Sequence, residues 1–217
     1  MWKGVHGDVA MSDRTSSDDG SPGWAAATVT SAGIVGVAGT LAGLVWGGVG
    51  GRIAMRILFL TSDDSVRGMT SDAGFEIGTI SLGTAFLVVF AAIAGAIIGM
   101  FGGLLRMVTA GPTWLVGLGA GLASAAFFGA LLVTPEGVDF NVLDPLWLGV
   151  TLFVVLPGLW AASTVVVGEW LARPGRLFAT LPQRIDERRF GFAGWIVLAV
   201  LTAAGVVSLV IDIRDLA

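Results

Sequence analysis

Apolar residues in this chain are gathered into five long stretches that contain no charged side chain. These stretches are 20–51, 77–105, 107–135, 145–168 and 190–211. Each is longer than the roughly 20 apolar residues that carry an α-helix across about 30 Å of hydrocarbon. The pattern predicts an all-α fold, an integral membrane bundle of five transmembrane helices at about 27–51, 79–104, 113–134, 146–168 and 192–212.

Polar sequence is too scarce to form a second domain. Only 13% of the 217 residues are charged, against about 25% in soluble domains. We therefore expect two parts, a disordered cytoplasmic tail at 1–26 and a transmembrane domain at 27–217. The tail is acidic and rich in Ser and Gly, with the sequence MSDRTSSDDGSPG from Met11, a composition typical of disorder. Met11 also has the context of a start site, which would make residues 1–10 an upstream extension; the mass of the native N-terminus tests this.

Lys and Arg residues set the expected orientation. With the N-terminus in the cytoplasm, the inner side holds eight of them and the outer side holds four. Because cytoplasmic loops carry the excess of positive charge, the chain is expected to be N-in and C-out. The loop at 169–190 contributes five arginines to the inner side.

The residues that most membrane enzymes need are missing from the sequence. There is no cysteine, and the one histidine, His6, lies in the expected tail. Within the expected spans the one acidic residue is Asp212, at the very end of the fifth, so no carboxylate lies in the middle of a span, which argues against a proton relay. The net charge of −4 gives no basic face for nucleic acid. We therefore expect no catalytic site, no metal and no cofactor.

Glycine recurs every four residues in three of the spans. The first span has Gly39, Gly43, Gly47 and Gly51; the second has Ala91, Gly95, Gly99 and Gly103; the third has Gly117, Gly121, Ala125 and Gly129. This spacing puts small residues on one stripe of each helix, where they permit the close backbone approach that drives association in lipid. The stripes either pack the three spans against one another within one chain, or form the seam of a homo-oligomer or a tightly packed pore wall.

Arg52 and Arg56 form the candidate polar site. They lie one helical turn apart in GGRIAMRILFL. If the first helix continues to Leu60, both are at membrane depth and are functional candidates; if it ends near Gly51, their stems snorkel to the surface. Their expected partners are Asp72 and Glu76, or Glu136 and Asp139.

Three further features concern single residues within the spans and at their ends. Pro157 lies in the middle of its span, where proline removes a backbone hydrogen bond and usually kinks a helix. Arg106 and Glu169 both end on the inner side and are expected to form a structural ion pair. Trp46 and Trp160 lie deeper than the other tryptophans and are expected to pack against helices or lipid.

Two segments carry a resemblance. The stretch 50–84 contains GGR-x-x-MR followed by GF-x-x-G, and the stretch 139–174 contains a span followed by an acidic residue and an arginine, Glu169 and Arg173. They are similar to uncharacterised polytopic membrane proteins of actinobacteria. The resemblance implies a multi-pass protein of the bacterial inner membrane and carries over no site.

Three functions follow as hypotheses. The first is a structural or accessory membrane protein that acts through close helix contacts, as a homo-oligomer or with another membrane protein. The second is a path for small solutes or anions, using Arg52 and Arg56. The third is a membrane enzyme acting at the outer surface, with Asp63, Asp64, Asp72 and Glu76 as acids or metal ligands, although solvated loop acids explain those residues equally well.

Overall fold

The computed structural model describes residues 24–66, 68–70, 74, 82–172 and 191–216, and the regular elements of this part are helices. In chain order they are α1 Trp24–Ala42, a π-helical segment Gly43–Gly50, α2 Gly51–Thr61, a 3-10 turn Asp64–Val66, α3 Leu82–Met107, α4 Thr113–Leu132, α5 Val138–Val142, α6 Leu146–Leu171 and α7 Ala193–Leu216. The predicted all-α class is confirmed. Of the predicted tail, residues 1–23 lie outside the described residues.

Four helices have the length and apolar composition needed to cross a membrane. They are Gly33–Thr61, Thr113–Leu132, Leu146–Leu171 and Ala193–Leu216. Helices of this length and composition are typical of a membrane protein. The helix α3 has 26 residues, and its apolar core among the described residues is the shorter stretch Ala85–Gly99.

The first span does not end near Gly51, so that boundary prediction was wrong. Gly51 has ordinary helical angles (φ −58°, ψ −41°), and the run GRIAMRILFLT continues as α2 because it holds no residue that breaks a helix. The helix stops where Ser62 becomes extended (φ −87°, ψ 165°). Arg52 and Arg56 therefore lie within the helix.

The π segment keeps one face of the first span turned outward. Large exposed side chains recur every four residues from Val37 to Ile57. In an uninterrupted α-helix such a repeat drifts by roughly 40° per step, because a turn holds 3.6 residues. The i→i+5 hydrogen bonds of a π-helix put more than four residues into each turn. Four residues then make less than a full turn, so the segment rotates the repeat back toward the face on which it began.

The helices pack side by side with α6 near the middle. It lies between α1 and α4, while α3 packs on α1 and the π segment, and α7 packs on α4. We call the end of the bundle where α3 finishes and α4 begins the Glu169 end. The opposite end, where α2 finishes and α6 begins, is the Asp144 end. Each end has a small apolar core, built around Ile34 and Leu171 at the first and around Leu58 and Leu143 at the second.

Candidate functional site

The backbones of α1 and α3 touch at their glycines. A Cβ atom added at Gly39 would overlap the carbonyl oxygen of Gly95 and lie 2.8 Å from the Cα of Gly99. One added at Gly95 would overlap the carbonyl of Gly39, and one at Gly43 the carbonyl of Ala91. Since backbone cannot move aside as a flexible side chain can, only glycine fits at these positions.

The third stripe packs on α6 instead. A Cβ at Gly121 would lie 3.1 Å from the carbonyl oxygen of Gly158, and one at Gly129 would lie 2.9 Å from a methyl of Val154. Gly117 is in looser contact, since a Cβ there would lie 3.6 Å from the carbonyl oxygen of Ala162. These contacts occupy the stripes within a single chain.

Gly51 lies away from these close helix contacts. A Cβ added at Gly51 would have no neighbour within 4 Å, whereas one added at Gly48, outside the predicted stripe, would lie 3.3 Å from a methyl of Val88. The π segment accounts for this change of face. The surroundings of Gly103 lie outside the part of the chain that the structure describes in full.

Trp160 fills the space that the glycines of the π segment and of α3 leave open. Its ring would lie 2.9–3.0 Å from a Cβ placed at Gly43, Gly47 or Gly95. Its indole N–H donates to the carbonyl oxygen of Gly39 at 3.3 Å. The three glycines thus form a cradle for this ring, which we call the Trp160 cradle.

Trp46 makes the complementary contact from the π segment. Its indole N–H donates to the hydroxyl of Ser163 on α6, at 2.9 Å. A buried indole N–H needs an acceptor, and in lipid water cannot supply one. The expectation that the deeper tryptophans pack against neighbouring helices is thus met by specific hydrogen bonds between α6 and the first span.

An ion pair closes the Glu169 end. Arg106 Nε of α3 donates to Glu169 Oε1 of α6 at 2.5 Å, which confirms the predicted pairing. The same guanidinium donates to the carbonyl oxygens of Thr109 and Gly111, while Glu169 Oε2 accepts from the hydroxyl of Thr113 on α4. The two charged side chains are 14% and 23% exposed.

The start of α7 is tied to the same turn. The indole N–H of Trp195 donates to the carbonyl of Ala110 at 2.8 Å, and the amide of Gly194 donates to the carbonyl of Val108 at 3.0 Å. The amide of Ala110 in turn donates to the carbonyl of Gly191. The Glu169 end is therefore one connected network that joins α3, α4, α6 and α7.

The candidate arginine pair lies on α2. Arg52 is half-buried and Arg56 is exposed, with its guanidinium carbon 5.2 Å from the centre of the Phe59 ring. Asp72 and Glu76 lie outside the described residues, so their pairing with the arginines stays a prediction. Asp139 is buried and Glu136 is exposed.

At the Asp144 end, α2 is fastened to the start of α6. The hydroxyl of Thr61 donates to the carbonyl of Asp144 at 2.7 Å, and the amide of Asp144 donates to the hydroxyl of Ser62 at 2.7 Å. Asp63 accepts from the amide of Ser65 at 2.9 Å. This backbone hydrogen bond, with a second from the Ser65 side chain, lowers the pKa of the Asp63 carboxyl below its ordinary value.

Pro157 lies inside a continuous α6 and is buried. Its carbonyl accepts a hydrogen bond from the hydroxyl of Ser124 on α4 at 2.9 Å. The proline therefore lies at the α4–α6 contact beside Gly158, and the predicted kink stays a prediction.

The described residues hold no group of three or more His, Cys, Asp or Glu side chains that could bind a metal ion. Neither a protein-family model nor a curated protein nor a solved structure matches the chain. The resemblance to actinobacterial membrane proteins accordingly stays a prediction.

Proposed function

We propose that this protein is a structural or accessory protein of a bacterial inner membrane, and that it acts through close glycine-mediated helix contacts. The observation that supports this most strongly is the contact of Gly39 with Gly95 and Gly99, reinforced by the Trp160 cradle. Such contacts build a rigid scaffold. Because the stripes are occupied inside one chain, contacts with a second copy or another membrane protein fall to the outward faces.

The proposal includes five spans with the N-terminus inside and the C-terminus outside. Its support is the length of α3, 26 residues, which corresponds to roughly 39 Å of helix. The ends of successive helices also alternate between the Glu169 end and the Asp144 end, as crossing helices do.

The absence of cysteine from the sequence makes the topology directly testable. A Ser65→Cys variant should react in intact cells with a maleimide that does not cross the membrane, because Ser65 is exposed at the Asp144 end. A Ser17→Cys variant, in the N-terminal segment, should react only after the cells are opened. The reverse pattern would overturn the orientation, and reaction at both sites in intact cells would show that the first of the five proposed spans does not cross the membrane.

The accessory role is tested by the state of the protein in its own lipid. Ser65→Cys is labelled with a fluorophore, extracted in polymer-bounded native discs and followed by photobleaching and single-particle mass. We expect two or more copies, or one copy with a second membrane protein, at a frequency that does not change when expression is lowered. Discs that hold one solitary copy at every expression level would refute the proposal.

The anion path has weaker support. Arg56 faces outward and stacks on Phe59 of its own helix, which is how an arginine near a membrane surface is usually placed. Liposome chloride flux that disappears in both Arg52→Ala and Arg56→Ala would favour the path over the accessory role.

A further inference from the structure

The outward face of α2 combines positive charge with exposed apolar side chains. Ile53 is 56% exposed and Leu60 is 66% exposed, with Ile57 between them. Arg52 and Arg56 lie one turn apart along the edge of this stripe. We call these five residues the α2 surface. The opposite face, with Ala54 and Leu58, is buried, in part against α6.

The depth of the α2 surface can be measured from neighbouring contacts. The hydrogen bond of Thr61 to the carbonyl of Asp144 places the end of α2 and the start of α6 at the same depth in the membrane. Trp147, a few residues farther along α6, is 68% exposed, as expected of a tryptophan at the membrane–water interface. Arg56 lies five residues from Thr61, or roughly 7 Å along the helix axis, and Arg52 roughly 13 Å.

This depth matches the anatomy of a phospholipid. The Arg56 side chain leaves the helix just below the tryptophan level, and its guanidinium lies over Phe59, nearer to Thr61 and to the level of the phosphate groups. Ile57 and Ile53 follow below this guanidinium, with Ile53 roughly 12 Å from Thr61 and at acyl-chain depth. The Phe59 ring supports one side of the Arg56 guanidinium, 5.2 Å from its centre. A guanidinium presents several fixed N–H donors that match the oxygens of a phosphate.

We propose that the α2 surface binds one anionic phospholipid, with its phosphate held by Arg56 near the level of Leu60, further positive charge supplied by Arg52, and an acyl chain along Ile57 and Ile53. Zwitterionic lipids carry the same phosphate with a compensating cation, so the net negative headgroup is preferred. The binding does not depend on the accessory role or on the orientation of the chain in the membrane.

The test is native mass spectrometry of the purified, delipidated full-length protein titrated with phosphatidylglycerol. Arg56→Gln should weaken binding about fivefold, and Arg52→Gln together with it should weaken binding further, since each arginine near a charged lipid contributes a factor of this size. Arg214→Gln is the matched control, because Arg214 is exposed in the last turn of α7. It should leave phosphatidylglycerol affinity unchanged.

Three results would overturn the proposal. They are equal binding of phosphatidylcholine, an equal loss in Arg56→Gln and Arg214→Gln, and displacement of the lipid by millimolar inorganic phosphate. If Arg56→Gln fails to give a monodisperse helical protein, Arg56→Lys takes its place. That variant should keep part of the affinity and make the remainder more sensitive to salt, because lysine is a point charge without the planar fork.

Discussion

The indole N–H of Trp160 on α6 donates to the carbonyl oxygen of Gly39 on α1, at a distance of 3.3 Å. The same ring rests against Gly43, Gly47 and Gly95. One aromatic side chain therefore joins three helices, and it fits only because three neighbouring positions lack a Cβ. This pairing of a large ring with small residues gives the α1, α3 and α6 junction its specificity.

Trp160→Ala should remove the centre of this junction. We expect a loss of about 3 kcal/mol in the free energy of unfolding, in the range of aromatic-to-alanine changes in packed interiors. Trp160→Phe keeps most of the ring and loses one interhelical hydrogen bond, so it should cost about 1 kcal/mol. Unfolding measured by steric trapping in bicelles checks both, with Trp147→Ala as the control for an exposed ring. A Trp160→Ala cost as small as that of the control would contradict the cradle.

Glu169→Ala should loosen the Glu169 end. The change leaves Arg106 Nε and the Thr113 hydroxyl without their carboxylate acceptors, so we expect a loss of about 2 kcal/mol, between the values for exposed and buried ion pairs. Hydrogen exchange should rise at the start of α4 and of α7, since both belong to the network. Asp215→Asn, at the exposed end of α7, is the control and should change neither quantity. Exchange that rises across the whole chain alike would argue against a local network.

Asp63 should titrate below its ordinary pKa of 3.8. Because its folded pKa is lowered, the interaction stabilises the folded loop above pH 3.8 and is lost as the pH falls through the lower folded value. Ser65→Ala removes only the side-chain donor, so the pKa should rise part of the way. The pKa of the Asp63 carboxyl is measured in the parent chain and in Ser65→Ala by following its carbon-13 NMR shift against pH. A titration at or above 3.8 in the parent chain would contradict the Ser65 contacts.

Much of the architecture could be predicted from the sequence, because charge-free runs of this length have one stable solution in lipid. The start of α4 at Thr113 and that of α6 at Leu146 agree with the predicted positions. The Arg106–Glu169 pair could also be predicted, since both residues end their spans on the same side.

The end of the first span and the π segment could not be predicted in the same way. The prediction assumed 3.6 residues per turn throughout and treated Gly51 as a boundary, while the glycine-rich run GLVWGGVG adopts wider turns. The signal that was available is the four-residue repeat of large apolar residues that continues from Val37 to Ile57, since over that length an α-helix would carry such a repeat to its opposite face. The cradle was missed for a different reason: it depends on which helices are neighbours, and spacing within one helix does not contain that information.

The most direct test of these glycine contacts compares two alanine substitutions in α3. Gly95→Ala would press a methyl into the backbone of Gly39, whereas a methyl at Gly102 would have no neighbour within 4 Å. We predict that Gly95→Ala lowers the free energy of unfolding in bicelles by about 1–3 kcal/mol, the usual cost of overpacking, and that Gly102→Ala leaves it unchanged or raises it by up to about 1 kcal/mol. Equal effects of the two substitutions would contradict the claim that glycine contacts between α1 and α3 hold this protein together.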